Sequence, residues 1–189
     1  MTVPSFFGYV LSPVVQVAEI WEKIIDFVST VDSTSIILPI SPAINFNDNS
    51  MVVVEMEIIS KSGTGNNFLL RVNGISSPIY DTDGRTIKAG VEILIDETGT
   101  GFKFANPTLL LNVNDKVQVI AYLQLNKLPT PKNIGIQSFA NGVEQRANMN
   151  IAGVLKSDQT ELNEISILPF SVAMGAGSRI TAYKVKRKL

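Results

Sequence analysis

Glu55 and Glu57 alternate in the run MVVVEMEIIS, residues 51–60. On a β-strand, alternate side chains share a face and stand about 7 Å apart. That spacing falls within the range of the acid and base carboxylates of inverting glycoside hydrolases. Nothing in the run marks one glutamate as a buried acid, and two glutamates on the wet face of a strand are the simpler reading. Asp81 and Asp83, in DTDG, have the alternating acids of a calcium loop but lack its bidentate glutamate. An Asp-Gly turn accounts for them without metal. Tyr80, Tyr122, Phe139 and Tyr183 could build a platform for a sugar ring, although aromatics at strand spacing usually serve as core or cross-strand pairs. MGAGSR, residues 174–179, gathers two glycines and a serine. A Walker-type phosphate loop needs a lysine at its end and a helix behind it. Here no lysine stands in that place and an alternating run follows, so Gly175, Gly177 and Ser178 are read as a structural turn.

The chain has no histidine and no cysteine. That excludes Ser-His-Asp and Cys-His schemes, thiolate zinc sites and disulfides. No catalytic, cofactor-binding or metal-binding residue is assigned, and no cofactor is expected. A formal net charge of -1, with 17% of residues charged, gives no field that would attract nucleic acid or an anionic membrane. Residues 1–18 carry no charged side chain, but Pro4, Gly8 and Pro13 interrupt them. Glu19, Glu22 and Lys23 close the run before the roughly 20 residues that a membrane span needs. The first basic residue is Lys23, and no cleavage site follows an apolar core, so no signal peptide is expected.

The elements that must position these residues divide at about residue 50. Ser12-Pro13 reads as a helix N-cap followed by proline at the first helical position. Val14, Val17, Trp21, Ile24 and Val28 then recur at spacings of three and four, a two-heptad seam. This predicts a helix over about 13–30 that packs on the β domain or bundles with copies of itself, and these five residues are the expected assembly interface. Residues 32–50 read as a linker punctuated by Pro39 and Pro42, with TSIILPI as a possible strand. Residues 1–50 hold one basic against five acidic side chains, whereas YKVKRKL at the other end holds four basic ones. The two ends can meet, although a solvated tail is the simpler reading.

From residue 51 the period is two. Asn73-Gly74 and Asn141-Gly142 read as hairpin turns, Asp83-Gly84 as a further turn, and TIKAGVEILIDE as one long strand. A Gly/Thr loop at 98–101 and Asn114-Asp115 mark further breaks. Eight to ten short strands result. The fold class is all-β, an antiparallel jelly roll or β-sandwich over 51–189, with an N-terminal arm (1–50) and one α-helix.

Three stretches, FLLRVNGISSPIYD, IGIQSFANGVEQRANMNIAGVL and ISILPFSVAMGAGSRITAYKVKR, resemble parts of a carbohydrate-binding-like jelly-roll module of virion proteins of tailed bacteriophages. In order of elements the resemblance covers roughly residues 50–187. Lys184 stands where that family usually has glycine after its final tyrosine. The resemblance implies no catalytic residue. It implies a virion structural protein, made in the host cytoplasm, that decorates the head or attaches to the tail. The arm would dock on capsid or tail proteins and the chain would form a homo-oligomer, a trimer. The alternatives are a receptor-binding, lectin-like protein for host surface glycan, a glycan hydrolase using Glu55 and Glu57, and a cellular β-sandwich binding module. No nucleic-acid or membrane partner is expected.

Overall fold

The computed structural model describes residues 19–45, 50–61, 68–88, 90–105, 112–125, 134–142, 147–169 and 173–187. These residues form two sheets. The larger has eight strands in the order β1 (Glu19–Val28), β12 (Arg179–Arg187), β3 (Ser50–Ile59), β8 (Lys116–Leu125), β9 (Ile134–Gly142), β10 (Ala147–Leu155), β5 (Tyr80–Lys88) and β6 (Val91–Gly99). The smaller has four, in the order β2 (Ile36–Asn45), β11 (Glu161–Pro169), β4 (Phe68–Val72) and β7 (Phe102–Ala105). Every pairing is antiparallel. The architecture is an antiparallel β-sandwich, in which alternation buries one face of each sheet against the other. Val52, Val54, Met56 and Ile58 of β3 and Val117, Val119, Ala121 and Leu123 of β8 line the large sheet's inner face. Ile165 and Ile167 of β11, with Phe68 and Leu70 of β4, meet them from the small sheet.

The described residues contain no helix, and none of them forms a helix long and apolar enough to cross a membrane. The helix expected over 13–30 is therefore corrected: residues 19–28 are strand β1, and 13–18 lie outside the described residues. The reason is a β-bulge. The pairing of β1 with β12 shifts between Lys23 and Ile25, leaving Ile24 as the extra residue. Before the bulge Trp21 and Lys23 oppose Val185 and Tyr183; after it Asp26 and Val28 oppose Thr181 and Arg179. Trp21 and Val28 thus share one sheet face at a separation of seven, which imitates a heptad. Ile25 joins the core, with Ile24 and Phe27 packed against it. The acidic N-terminal segment and the basic C-terminal segment do meet within one chain, with Glu22 directly opposite Lys184.

Other local expectations are corrected too. The segment read as a linker contains β2, which includes most of the strand suggested for TSIILPI, and its Ile36, Leu38, Ile40 and Ile44 are buried. Pro39 and Pro42 fit there because β2 is an edge strand, where a missing N–H costs no ladder bond. Asn73 and Gly74 do adopt positive φ (53° and 67°), but β4 and β5 lie in different sheets, so this turn carries the chain across the sandwich. The Asn73 side chain fastens the crossing to β11, donating to the Glu161 carbonyl at 2.7 Å and accepting from Asn163 N–H at 2.9 Å. Asp83 and Gly84 lie inside β5, and TIKAGVEILIDE spans two paired strands, β5 and β6, with Gly90 (φ 81°) between them, rather than one strand. β9 and β10 do pair as the expected hairpin, with Asn141 and Gly142 as the last residues of β9.

The Gly175–Ser178 turn joins three parts of the chain. Gly175 N–H donates to the Ile59 carbonyl at 2.7 Å, and Gly177 N–H to the Ser29 carbonyl at 2.7 Å. The buried Ser178 hydroxyl accepts from Ile59 N–H at 3.0 Å and donates to the Gly175 carbonyl at 2.8 Å. Gly177 has φ 90°, which L side chains rarely adopt. The strands on either side, β11 and β12, belong to different sheets, so the turn closes the sandwich rather than a hairpin.

Candidate functional site

The outward face of the large sheet gathers the polar and aromatic residues that the alternation keeps out of the core. Register fixes its rows. One row runs Asp26, Thr181, Glu55, Ile120, Phe139, Asn150, Arg85 and Leu94, from β1 across to β6. The next runs Val28, Arg179, Glu57, Gln118, Asn141 and Asn148. On the other side lie Tyr183, Val53, Tyr122 and Gln137. Directly opposed side chains in neighbouring strands stand about 5 Å apart, so each row is a continuous surface.

Phe139 is at the centre. It is 43% exposed although β9 is an interior strand, and Ile120 beside it is 41% exposed. A groove of about 370 Å³ lies on one side, lined by Glu55, Glu57, Gln118, Asn141 and Arg179 as well as Phe139. A second, of about 490 Å³, lies on the other, lined by Asp83, Arg85, Leu94, Gln137 and Asn150 as well as Phe139. Phe139 forms the ridge between them. An apolar ring edged by amides, carboxylates and guanidinium groups can stack on a flat, partly apolar ligand and hydrogen-bond its rim.

Glu55 and Glu57 both line the first groove. The Lys116 ammonium, 3.2 Å away, hydrogen-bonds Glu57 and holds its carboxyl below the usual glutamate value. Glu57 is therefore suited to accept hydrogen bonds from a ligand rather than to give up a proton as a general acid. Asp81 bonds Lys156 and accepts from the Thr98 hydroxyl at 2.7 Å; the Lys156 hydrogen bond chiefly keeps its carboxyl low. Asp83 lies on the outer face opposite Asp96. Among the described residues no group of three or more acidic, histidine or cysteine side chains could hold a metal ion.

The four aromatics divide. Tyr80 is fully buried, whereas Tyr122, Phe139 and Tyr183 share the outer face. Of the expected assembly residues, Val14 and Val17 lie outside the described residues, and Ile24 packs toward the core. Trp21 (51% exposed) and Val28 remain on the outer face, with Trp21 edge-on to Tyr183 at 5.7 Å. Arg179, Gln118 and Asn150 carry no site signal in the sequence, and Asn141 reads there only as a turn residue. Their signal is parity: each shares a row with Glu55 and Phe139 or with Glu57, but only once the strand partners are known.

No protein-family model matches the chain, and no curated protein matches its sequence. A solved structure of peanut lectin with a nine-residue peptide (PVIWSSATG) is similar over 97% of each chain, at 8% identity and a TM-score of 0.30. So distant a likeness carries no argument here.

The ionisable groups fix a pH profile. With no histidine or cysteine, no side chain has an ordinary pKa between about 5 and 8. Glu57 and Asp81 have folded values below their ordinary 4.5 and 3.8. Their stabilisation is present above those unfolded values and is lost as pH falls through the lowered folded ones. Burial pushes the Tyr80 phenol above its ordinary 10, so its contribution is full below 10 and is lost as pH rises through the raised value. The melting temperature should be flat from about pH 5 to 9 and fall on both sides. A step near pH 6–7 in a thermal-melt series would contradict this account.

Proposed function

We propose that this chain is a non-enzymatic structural protein of a virus particle, displaying the Phe139 face to bind saccharide. The observation that carries the binding reading is Phe139 itself, an exposed ring on an interior strand with a groove on each side. A pyranose has one face of C–H groups and a rim of hydroxyls. The C–H face complements an aromatic π-face, and the rim complements Gln118, Asn141, Glu55 and Arg179. The place on a particle is supported by the resemblance of residues 50–187 to phage jelly-roll modules. Attachment through the uncharged residues 1–18 belongs to the same reading.

The test is a glycan array followed by titration of the best ligand. Phe139→Ala should weaken binding tenfold or more, about 1.4 kcal/mol, while leaving the melting temperature within a few degrees. Absence of saccharide binding, or unchanged affinity in Phe139→Ala, would overturn the ligand reading. Gold-tagged antibody that labels no particle would overturn the virion reading independently.

A further inference from the structure

Among the described residues the sandwich has four edge strands: β1 and β6 on the large sheet, β2 and β7 on the small one. Three carry the features that stop edges from pairing. β1 has a bulge at Ile24 and Lys23 on its outer face. β2 has Pro39 and Pro42. β7 is only four residues long. β6 has no bulge, proline or lysine: it is nine residues long and in unbroken register with β5, and its charges are the acids Glu92, Asp96 and Glu97. Alongside these acids, three of its apolar side chains are exposed, Val91 62%, Ile93 44% and Leu94 78%.

We infer that β6 pairs antiparallel with β6 of a second copy, joining two large sheets into one of sixteen strands. The sequence VEILIDETG decides the occupant, because it is self-complementary in one register. A two-fold axis through Ile93 sets Ile93 against Ile93 and Val91 against Ile95, a continuous apolar row on the inner face. On the outer face it sets Glu92 against Leu94. Centring on Glu92 or Leu94 would place acid against acid, which is unfavourable at directly opposed positions. Centring on Ile95 would set Ile93 against Glu97. The Ile93 register also brings the Lys88 end of each hairpin toward the Asp96–Glu97 end of the second copy, so the charges at the two ends are complementary.

The pairing has a functional consequence. An axis perpendicular to the sheet leaves both outer faces on the same side. The two Phe139 residues, each three strands from the junction, would stand roughly 34 Å apart at the usual interstrand spacing. Two weak sites on one surface gain avidity if the ligand is repeated.

Because the chain lacks cysteine, the register can be read by single substitutions. Directly opposed residues have the Cα separation that a disulfide needs. Ile93→Cys should oxidise to a covalent dimer on a non-reducing gel, whereas Leu94→Cys, facing Glu92, should not. Wild type should sediment as a dimer, and Ile93→Lys as a folded monomer. Monomeric wild-type protein would overturn the proposal. So would a dimer cross-linked through Leu94→Cys instead, or one left intact by Ile93→Lys. Circular dichroism of each variant separates loss of pairing from loss of fold, and the wild-type sedimentation result stands without any variant.

Discussion

Tyr80→Ala should cost about 3–5 kcal/mol, the range for emptying a large aromatic from a core. For a chain of this size that lowers the melting temperature by roughly 6–20 °C. Tyr80 is fully buried, and its ring meets Phe102 edge-on at 4.9 Å and 87°. Its hydroxyl accepts from Val72 N–H at 3.2 Å, and its proton lies between the carbonyls of Ile75 (3.0 Å) and Val72 (3.3 Å). One side chain thus fills the core and fixes the end of β4 where the chain crosses to the large sheet. Tyr80→Phe separates the two roles. It keeps the ring but leaves polar backbone groups short of a partner, at about 1–3 kcal/mol. Chemical denaturation of both variants decides the matter. Equal losses would mean that the hydroxyl, not the packing, dominates.

Gly84→Ala should cost about 3 kcal/mol or more, although one methyl is the smallest addition possible. A Cβ at Gly84 would lie 2.2 Å from the Asn150 carbonyl oxygen and 2.8 Å from Ile151 Cα. Both are backbone atoms of the paired strand β10, so no rotamer change relieves the clash and β5 must move away. The large sheet would open beside Phe139's second groove, so saccharide binding should weaken along with stability. Gly99→Ala, whose Cβ meets nothing nearer than 3.6 Å, is the control, expected within about 0.5 kcal/mol of wild type. A Gly84→Ala protein as stable as that control would show that β5 and β10 can separate at little cost.

The same glycine shows what local pattern cannot express. Asp83-Gly84 has the composition of a turn, yet it lies mid-strand because β10 approaches too closely for any side chain. The break between β5 and β6, marked by Gly90 at φ 81°, is hidden inside an apolar run that reads equally well as one strand. The seven-residue separation of Trp21 and Val28 suits both a helical seam and a bulged strand. Pairing with β12 selects the strand, and β12 lies more than 150 residues away in the chain. Of the candidate site, Glu55, Glu57 and the aromatics were visible as residue types, but their common face was not.

The sequence marks residues from 51 onward as antiparallel β-structure, because period-two alternation and turn residues are local properties, but it suggests a helix over 13–30 where residues 19–28 form β1. It also determined that no histidine or cysteine chemistry is possible. Which strands became neighbours, the strand that residues 19–45 give to each sheet, and the place of Phe139 between two grooves all follow from the three-dimensional fold. The reason is physical. Alternation says which side chains share a face of one strand, whereas a site on a sheet is built across strands, and that depends on partners and register set by packing of the whole core.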